Sequence, residues 1–180
     1  MRAFPVLSVC LAPLCLALIA LPVLAGTTAK HARPGPQAIG TYEDWTAAIN
    51  KEAGQTVCYA FTRPRSSSPT LPGRGNVVFT VTERPTLRDA VAISVGFSFA
   101  PNAAATLDIG DHTFDLYTGQ RSAFAREGHA AVEAMIRGSE AVAHLPGPKG
   151  KEITDRFSLR GFEKAYSAIV KRCPQSKSAT

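Results

Sequence analysis

The densest grouping of residues that could do chemistry is His112 with Asp108, Asp111 and Asp115. One imidazole among three carboxylates could hold a divalent cation or move a proton, provided the side chains converge. The alternation of the chain sets them apart. Asp108 and Asp115 take the polar phase of their segments, His112 shares the phase of Phe114, and Asp111 sits in the turn between them. His129 and Glu133 stand four apart on a short helical stretch, the spacing of a surface pair. No Gly-x-Ser-x-Gly elbow, phosphate-binding loop or zinc-protease motif occurs in the 180 residues. The expectation is a protein without catalytic residues, metal or cofactor.

The basic residues point elsewhere. Arg63, Arg65 and Arg74 belong to a polar, Pro- and Gly-rich loop region, and Lys149 lies in the turn Pro146-Gly147-Pro148-Lys149-Gly150. These four form a candidate contact patch for a macromolecule, in particular an anionic component of the cell envelope or of a host surface. The net charge of +6 and the pI near 9.4 favour such anionic neighbours. No lysine-rich block or base-stacking motif accompanies the charge, so nucleic acid is not expected, and membrane association would be peripheral at most. Arg84, Arg88, Asp89 and Asp155 are candidate structural ion pairs. Asp155 shares the phase of Ile153, Phe157 and Leu159, so it should be partly buried and held by an arginine or by backbone donors.

The start of the chain states where these groups would work. Arg2 is followed by no charged residue until Lys30, and the stretch from Val6 to Leu24 is almost wholly apolar. Val23-Leu24-Ala25 fits a signal-peptidase site, while Pro5, Pro13 and Pro22 interrupt the run as a membrane helix. Residues 1–25 are read as a signal peptide, 26–40 as a flexible linker, 41–174 as one domain and 175–180 as a disordered tail. Cleavage removes Cys10 and Cys15. Cys58 and Cys173 remain, and two thiols in one small exported domain pair as a structural disulfide.

Between those cysteines period two dominates. Val77, Phe79 and Val81 alternate with small or polar residues, as do Val91, Ile93, Val95, Phe97 and Phe99. Ala105, Leu107 and Ile109 face Phe114 and Leu116 across Gly110-Asp111, a dipeptide suited to a tight hairpin turn. The spacing predicts a short helix over 130–137, ended by Gly138, and a closing helix over about 159–172 with Leu159, Phe162, Tyr166, Ile169 and Val170 on the face of Cys173. Trp45 fits either a helical stripe or a first strand. The fold class is mainly β (α+β): an antiparallel β-sandwich or rolled sheet with a short helix and a C-terminal helix packed on it.

The order of these pieces resembles the invasion-associated locus B family of Gram-negative bacteria. The resemblance lies in Cys58-Tyr59 followed by Arg63-Pro64, in Val81-Thr82-Glu83-Arg84-Pro85 with Arg88-Asp89, and in the strand from Val91 to Phe99. It continues through the Leu107–Tyr117 hairpin, Ala134-Met135 and Asp155-Arg156-Phe157-Ser158-Leu159-Arg160-Gly161-Phe162, and covers nearly the whole domain. The chain departs from the family pattern at Glu83, where a histidine is expected, and at Phe124, where a tryptophan is expected. The resemblance implies an exported, mainly β, non-enzymatic envelope protein located in the periplasm, secreted, or on the outer envelope. Its function would be to support host association or invasion. The alternatives are a periplasmic housekeeping or assembly module with no host role and, beyond that, an unrecognised enzyme.

Overall fold

The computed structural model describes residues 35–176. The expected signal peptide and most of the expected linker and tail lie outside the described residues. Eleven strands form one sheet in which every neighbouring pair is antiparallel. They are β1 (Gln37–Tyr42), β2 (Trp45–Glu52), β3 (Gln55–Thr62), β4 (Ser66–Ser68), β5 (Val78–Glu83), β6 (Ala90–Ser94), β7 (Ala105–Ile109), β8 (His112–Gly119), β9 (Ser122–Ala125), β10 (Glu140–Pro146) and β11 (Glu152–Ser158). Helix α1 (Gly128–Arg137) separates β9 from β10, and α2 (Phe162–Arg172) follows β11. Their order across the sheet is β1-β2-β3-β5-β6-β9-β8-β7-β10-β11-β4.

Local turn chemistry builds most of this order. Four two-residue turns join β1 to β2, β2 to β3, β7 to β8 and β8 to β9, and the first central residue of each has positive φ: Glu43, Ala53, Gly110 and Gln120. That backbone matches the twist of the flanking strands. The Gly110-Asp111 hairpin stands as the sequence predicts. Trp45, ambiguous in sequence, opens β2 opposite Tyr42.

The sheet rolls because one segment of chain serves both of its ends. β3 lies near one end, and after Arg63-Pro64-Arg65 the chain becomes β4, which pairs with β11 at the other. The ends therefore approach one another: Asp44 N donates to Arg160 O at 3.3 Å, and Arg160 Nε donates to Glu43 Oε2 at 2.9 Å. β1 and β4 remain the two edges, so the roll is not closed. Inside it, Trp45 packs edge-on against Phe162 at 4.7 Å and Phe79 at 5.6 Å, and Phe79 meets Phe157 at 5.0 Å. Trp45 Nε1 donates to Ser158 O at 2.9 Å, which satisfies its one polar atom. Burial of each such side chain contributes about 1.5–3 kcal/mol.

Cys58 in β3 and Cys173, just beyond α2, form a disulfide with Cα atoms 6.0 Å apart, across 115 residues of sequence. The closing helix buries Phe162, Ala165 and Ile169 and thereby carries Cys173 to β3. A loop of this size limits the unfolded chain by at most about 4.7 kcal/mol of lost entropy.

Four boundaries differ from expectation, the first being the start of α1 at Gly128 rather than at 130. β1 begins at Gln37, inside the stretch read as linker. Helix α2 starts at Phe162 rather than Leu159. β6 ends at Ser94 although alternation runs to Phe99, because Gly96 adopts φ +77° and its carbonyl accepts from Gly75 N at 2.9 Å. A Cβ at Gly96 would lie 2.4 Å from Gly75 O. Phe97 still enters the core, so the alternation outlasts the ladder.

Candidate functional site

The link between β3 and β4 presents two of the four patch residues together. Arg63 and Arg65 line an open cleft of about 280 Å³ with Asp44, Thr46, Phe61 and Thr62. Arg65 Nη2 lies 2.6 Å from Asp44 Oδ2, and this hydrogen bond, helped by Ser158, holds the Asp44 carboxyl below its usual range. Arg63 Nη1 donates to the neutral Asn76 Oδ1 at 3.3 Å.

The other two patch residues lie apart from them. Arg74 is buried, its guanidinium bidentate on Asp155 at 2.8 and 2.6 Å, with Nε donating to Val95 O at 2.8 Å. It also sits over the Phe97 ring, 5.3 Å from the centroid. Arg74 is therefore spent inside the fold, and the expected patch is corrected by its removal. Lys149 lies in the turn before Glu152, whereas Arg65 leads into Ser66 opposite Arg156. Four strand residues separate those positions, about 13 Å of rise.

The candidate ion pairs are re-sorted rather than scattered. Asp155 is fully buried and takes Arg74. Arg84 pairs with Glu52 at 2.9 Å, and Tyr59 OH donates to the same carboxylate. These two hydrogen bonds, Tyr59 first, hold the Glu52 carboxyl low, while burial and the Glu52 charge push the Tyr59 hydroxyl up to about 12. Arg88 turns to Glu83, with Nε 2.5 Å from Oε2, and its Nη1 donates to Cys173 O at 2.5 Å. The first contact is an ion pair by distance whose N–H is not aligned on the oxygen, so Glu83 Oε2 has no hydrogen bond.

Asp89 completes a cluster that sequence spacing could not show. It adopts φ +52° and directs its amide to Glu83 Oε1 at 3.1 Å. Its own carboxylate accepts from Tyr166 OH at 2.5 Å and meets His129 Nδ1 at 2.8 Å. Gly128 allows α1 to start here, since a Cβ on it would lie 2.0 Å from Asp89 O. Burial alone would raise the Asp89 carboxyl, but hydrogen bonds from Tyr166 and His129 outweigh it and lower it. The hydrogen bond to Asp89 raises His129, while burial first and Asp89 second raise Tyr166. Glu83 is pushed up to about 7, by burial above all and then by the neighbouring Asp89 side chain, against the pull of Arg88.

His129 and Glu133 do form the expected exposed pair, at 3.5 Å. His112 is exposed, its ring 6.2 Å from Phe114, and lines an open cleft with Asp111, Glu127, Glu133 and Arg137. The sequence reading missed His144, which lies 3.2 Å from both Asp108 on β7 and Glu152 on β11. Only the strand order β7-β10-β11 places those three side by side. Among the described residues, no three His, Cys, Asp or Glu side chains converge as a metal-ligand set, and no helix is long and apolar enough to cross a membrane.

Together these features define a class: a disulfide-tied, rolled antiparallel sheet with an open arginine-lined cleft at the link between its ends. The family model described as Invasion associated locus B (IalB) protein matches residues 45–170, and the chain belongs to that family. The crystal structure of invasion associated protein B from Bartonella henselae is similar, with a TM-score of 0.49 and 15% identity over 74% of this chain and 96% of that one. No curated protein sequence matches the chain.

Proposed function

We propose that this chain is an exported, non-enzymatic cell-envelope protein that binds a macromolecular partner and supports association with host cells. The Cys58–Cys173 bridge carries the reading. Buried thiols stay paired in oxidising compartments and are kept reduced in the cytosol, so a bridge that ties the first core strands to the last helix suits a protein that works outside the cytoplasm. The invasion-linked description of the family supports the host role. The cleft of Arg63 and Arg65 offers planar donors suited to carboxylate, sulfate or phosphate groups on the partner.

Fractionation and protease accessibility on intact cells test this, with the mass of the isolated protein taken under non-reducing conditions. The expected result is an oxidised protein in the envelope or medium, together with weaker host-cell adherence in a deletion strain. A cytosolic protein with free thiols at Cys58 and Cys173 would overturn export. Normal adherence combined with an envelope-integrity defect would replace the host role with housekeeping.

A further inference from the structure

The outward face of the sheet carries a row of half-buried and exposed side chains that lie outside the core. Phe61, Thr80, Ala92, Phe124 and Tyr117 stand directly opposite one another on β3, β5, β6, β9 and β8. Their chain neighbours Ala60, Phe79, Val91, Ala123 and Leu116 fill the core, so period two sends all five of these residues outward. Four interstrand spacings make the row about 19 Å long. At one end Phe61 separates the arginine cleft from a mainly apolar cleft of about 390 Å³ lined by Pro36, Tyr59, Val78 and Thr80. At the other, Tyr117 is 47% exposed, stacks on Phe124 at 5.1 Å and 20°, and has the Arg126 guanidinium 5.7 Å from its ring centre.

The charge along this face has one sign to spare at each end. Among the described residues, Arg63 and Arg126 pair with no carboxylate. The nearby acids Asp44 and Glu52 are taken by Arg65 and Arg84, while at the far end Asp115 stands across from Arg126 on β8 and Glu127 follows Arg126 in the chain, neither within ion-pair distance of it.

We propose that this row is the platform for a linear acidic polysaccharide lying across the strands from Arg63 to Arg126. The proposal rests on the binding function above and names the chemical class of its partner. Even with a flanking residue included, the row is about 14 Å wide, or about 270 Å² in all, against about 800 Å² per partner in a stable protein interface. A second copy of this chain is thus too broad an occupant, and a narrow extended polymer fits. Tyr117 and Phe124 already stack on each other, which leaves no slot for a nucleobase between them. A sugar can still lay its C–H face along the exposed side of the rings while its hydroxyls reach Thr80. Guanidinium groups at both ends select carboxylate or sulfate.

The test is titration calorimetry of the full chain with a heparin hexasaccharide, an oligogalacturonate of similar length, neutral dextran and a single-stranded oligonucleotide. Both acidic glycans should bind and dextran should not. Arg63→Glu and Arg126→Glu should each weaken binding about tenfold, the loss of one charge-assisted hydrogen bond. Tyr117→Ser, which changes no charge, should weaken it about fivefold, while Arg126→Lys, which keeps the charge but not the planar fork, should weaken it less than Arg126→Glu. Lys164→Glu, an equal change of charge at an exposed position of α2 away from the row, should leave affinity within about twofold. Thermal melts confirm folding of each variant, and the exposed Tyr117 and Arg126 keep the test valid if Arg63→Glu unfolds.

Affinity that ignores Tyr117→Ser, or that falls as far with Lys164→Glu as with Arg126→Glu, would overturn the platform. Preference for the oligonucleotide would assign the row to nucleic acid instead. Failure of every glycan to bind an exported protein that still adheres to host cells would sink the platform and leave the function above standing. A cytosolic location would sink that function by itself.

Discussion

Asp155 and Glu83 are both completely buried carboxylates on strands of one sheet, and the fold treats them in opposite ways. Asp155 receives both arms of a single arginine, with Arg74 Nη1 and Nη2 on its two oxygens. Glu83 shares its arginine with Cys173 O, and a second carboxylate, Asp89, stands beside it. The first arrangement is a one-to-one match with its geometry satisfied. The second is crowded, and Asp89 takes the donors of two further elements, His129 on α1 and Tyr166 on α2. A buried acid with a dedicated arginine holds elements together, whereas one that shares its surroundings with another acid is held partly by a proton.

The sharpest way to break this comparison is to remove each carboxylate's environment in turn. Arg74→Ala should destabilise by about 3–5 kcal/mol, because it leaves Asp155 charged, buried and alone. Replacing both partners, as Arg74→Met with Asp155→Leu, should recover most of that loss, since an apolar pair of similar volume needs no desolvation. Urea denaturation at pH 7 measures both. A double variant as unstable as Arg74→Ala would mean that Arg74 matters through Val95 O and the Phe97 ring rather than through Asp155.

The next effect separates the two regions by their covalent tether. The Cys58→Ser/Cys173→Ser protein should lose about 2–5 kcal/mol. The bridge anchors the end of α2, where Cys173 O receives Arg88, but it does not touch the Arg74 loop. Hydrogen exchange should therefore rise first in residues 84–89 and α2, with 74 and 155 still protected. Uniform loss of protection would deny the two regions any independence.

What the sequence made legible follows the range of the interactions. The Gly110-Asp111 hairpin, the apolar stripe of α2 and the β10–β11 turn are written in residues that are neighbours in sequence, and they appear where those residues put them. Pairing of the two cysteines could be read because the expected signal-peptide cleavage would leave only one partner for each. Strand order could not be read, since it depends on Pro64 turning the chain from β3 at one end of the sheet to β4 at the other. For the same reason Arg74, 81 residues from Asp155, looked like surface charge on a polar loop. Asp89 looked like one end of a local ion pair because its left-handed backbone, which turns its side chain toward His129 and Tyr166, leaves no mark in composition.

Proton occupancy gives a finer test of the crowded cluster. Glu83 is raised in the folded state from 4.5 to about 7. An acid raised on folding contributes stability fully below its unfolded value and loses it as pH rises through the folded one, so stability should fall between about pH 4.5 and about 7. Asp89 acts the other way: its carboxyl is lowered from 3.8, so its contribution is present above that value and lost as pH falls through the folded one. Glu83→Gln, which mimics the protonated acid, should flatten the fall and match or exceed the native protein at pH 8. Melting temperatures from pH 4 to pH 8 decide it, and a native curve with no fall between about pH 4.5 and about 7 would show that Arg88 holds Glu83 ionised after all.

The smallest effect belongs to His129, which lies at the outer rim of the same cluster with 76% of its side chain exposed. Asp89, through its hydrogen bond and its charge, raises the imidazole above 6.5, with Glu133 adding to the pull. A raised histidine stabilises below its unfolded value, and that contribution disappears as pH rises through the folded one. His129→Asn should therefore melt slightly below the native protein near pH 5.5 and together with it at pH 8.5. Tyr166 still serves Asp89 in the variant, which is why the loss stays small. The fall assigned to Glu83 should persist in His129→Asn, because that transition arises from burial beneath the rim. If the variant flattened the whole window, Glu83, Asp89 and His129 would titrate as one network, and the boundary drawn here between a buried proton and an exposed one would move outward to the surface of α1.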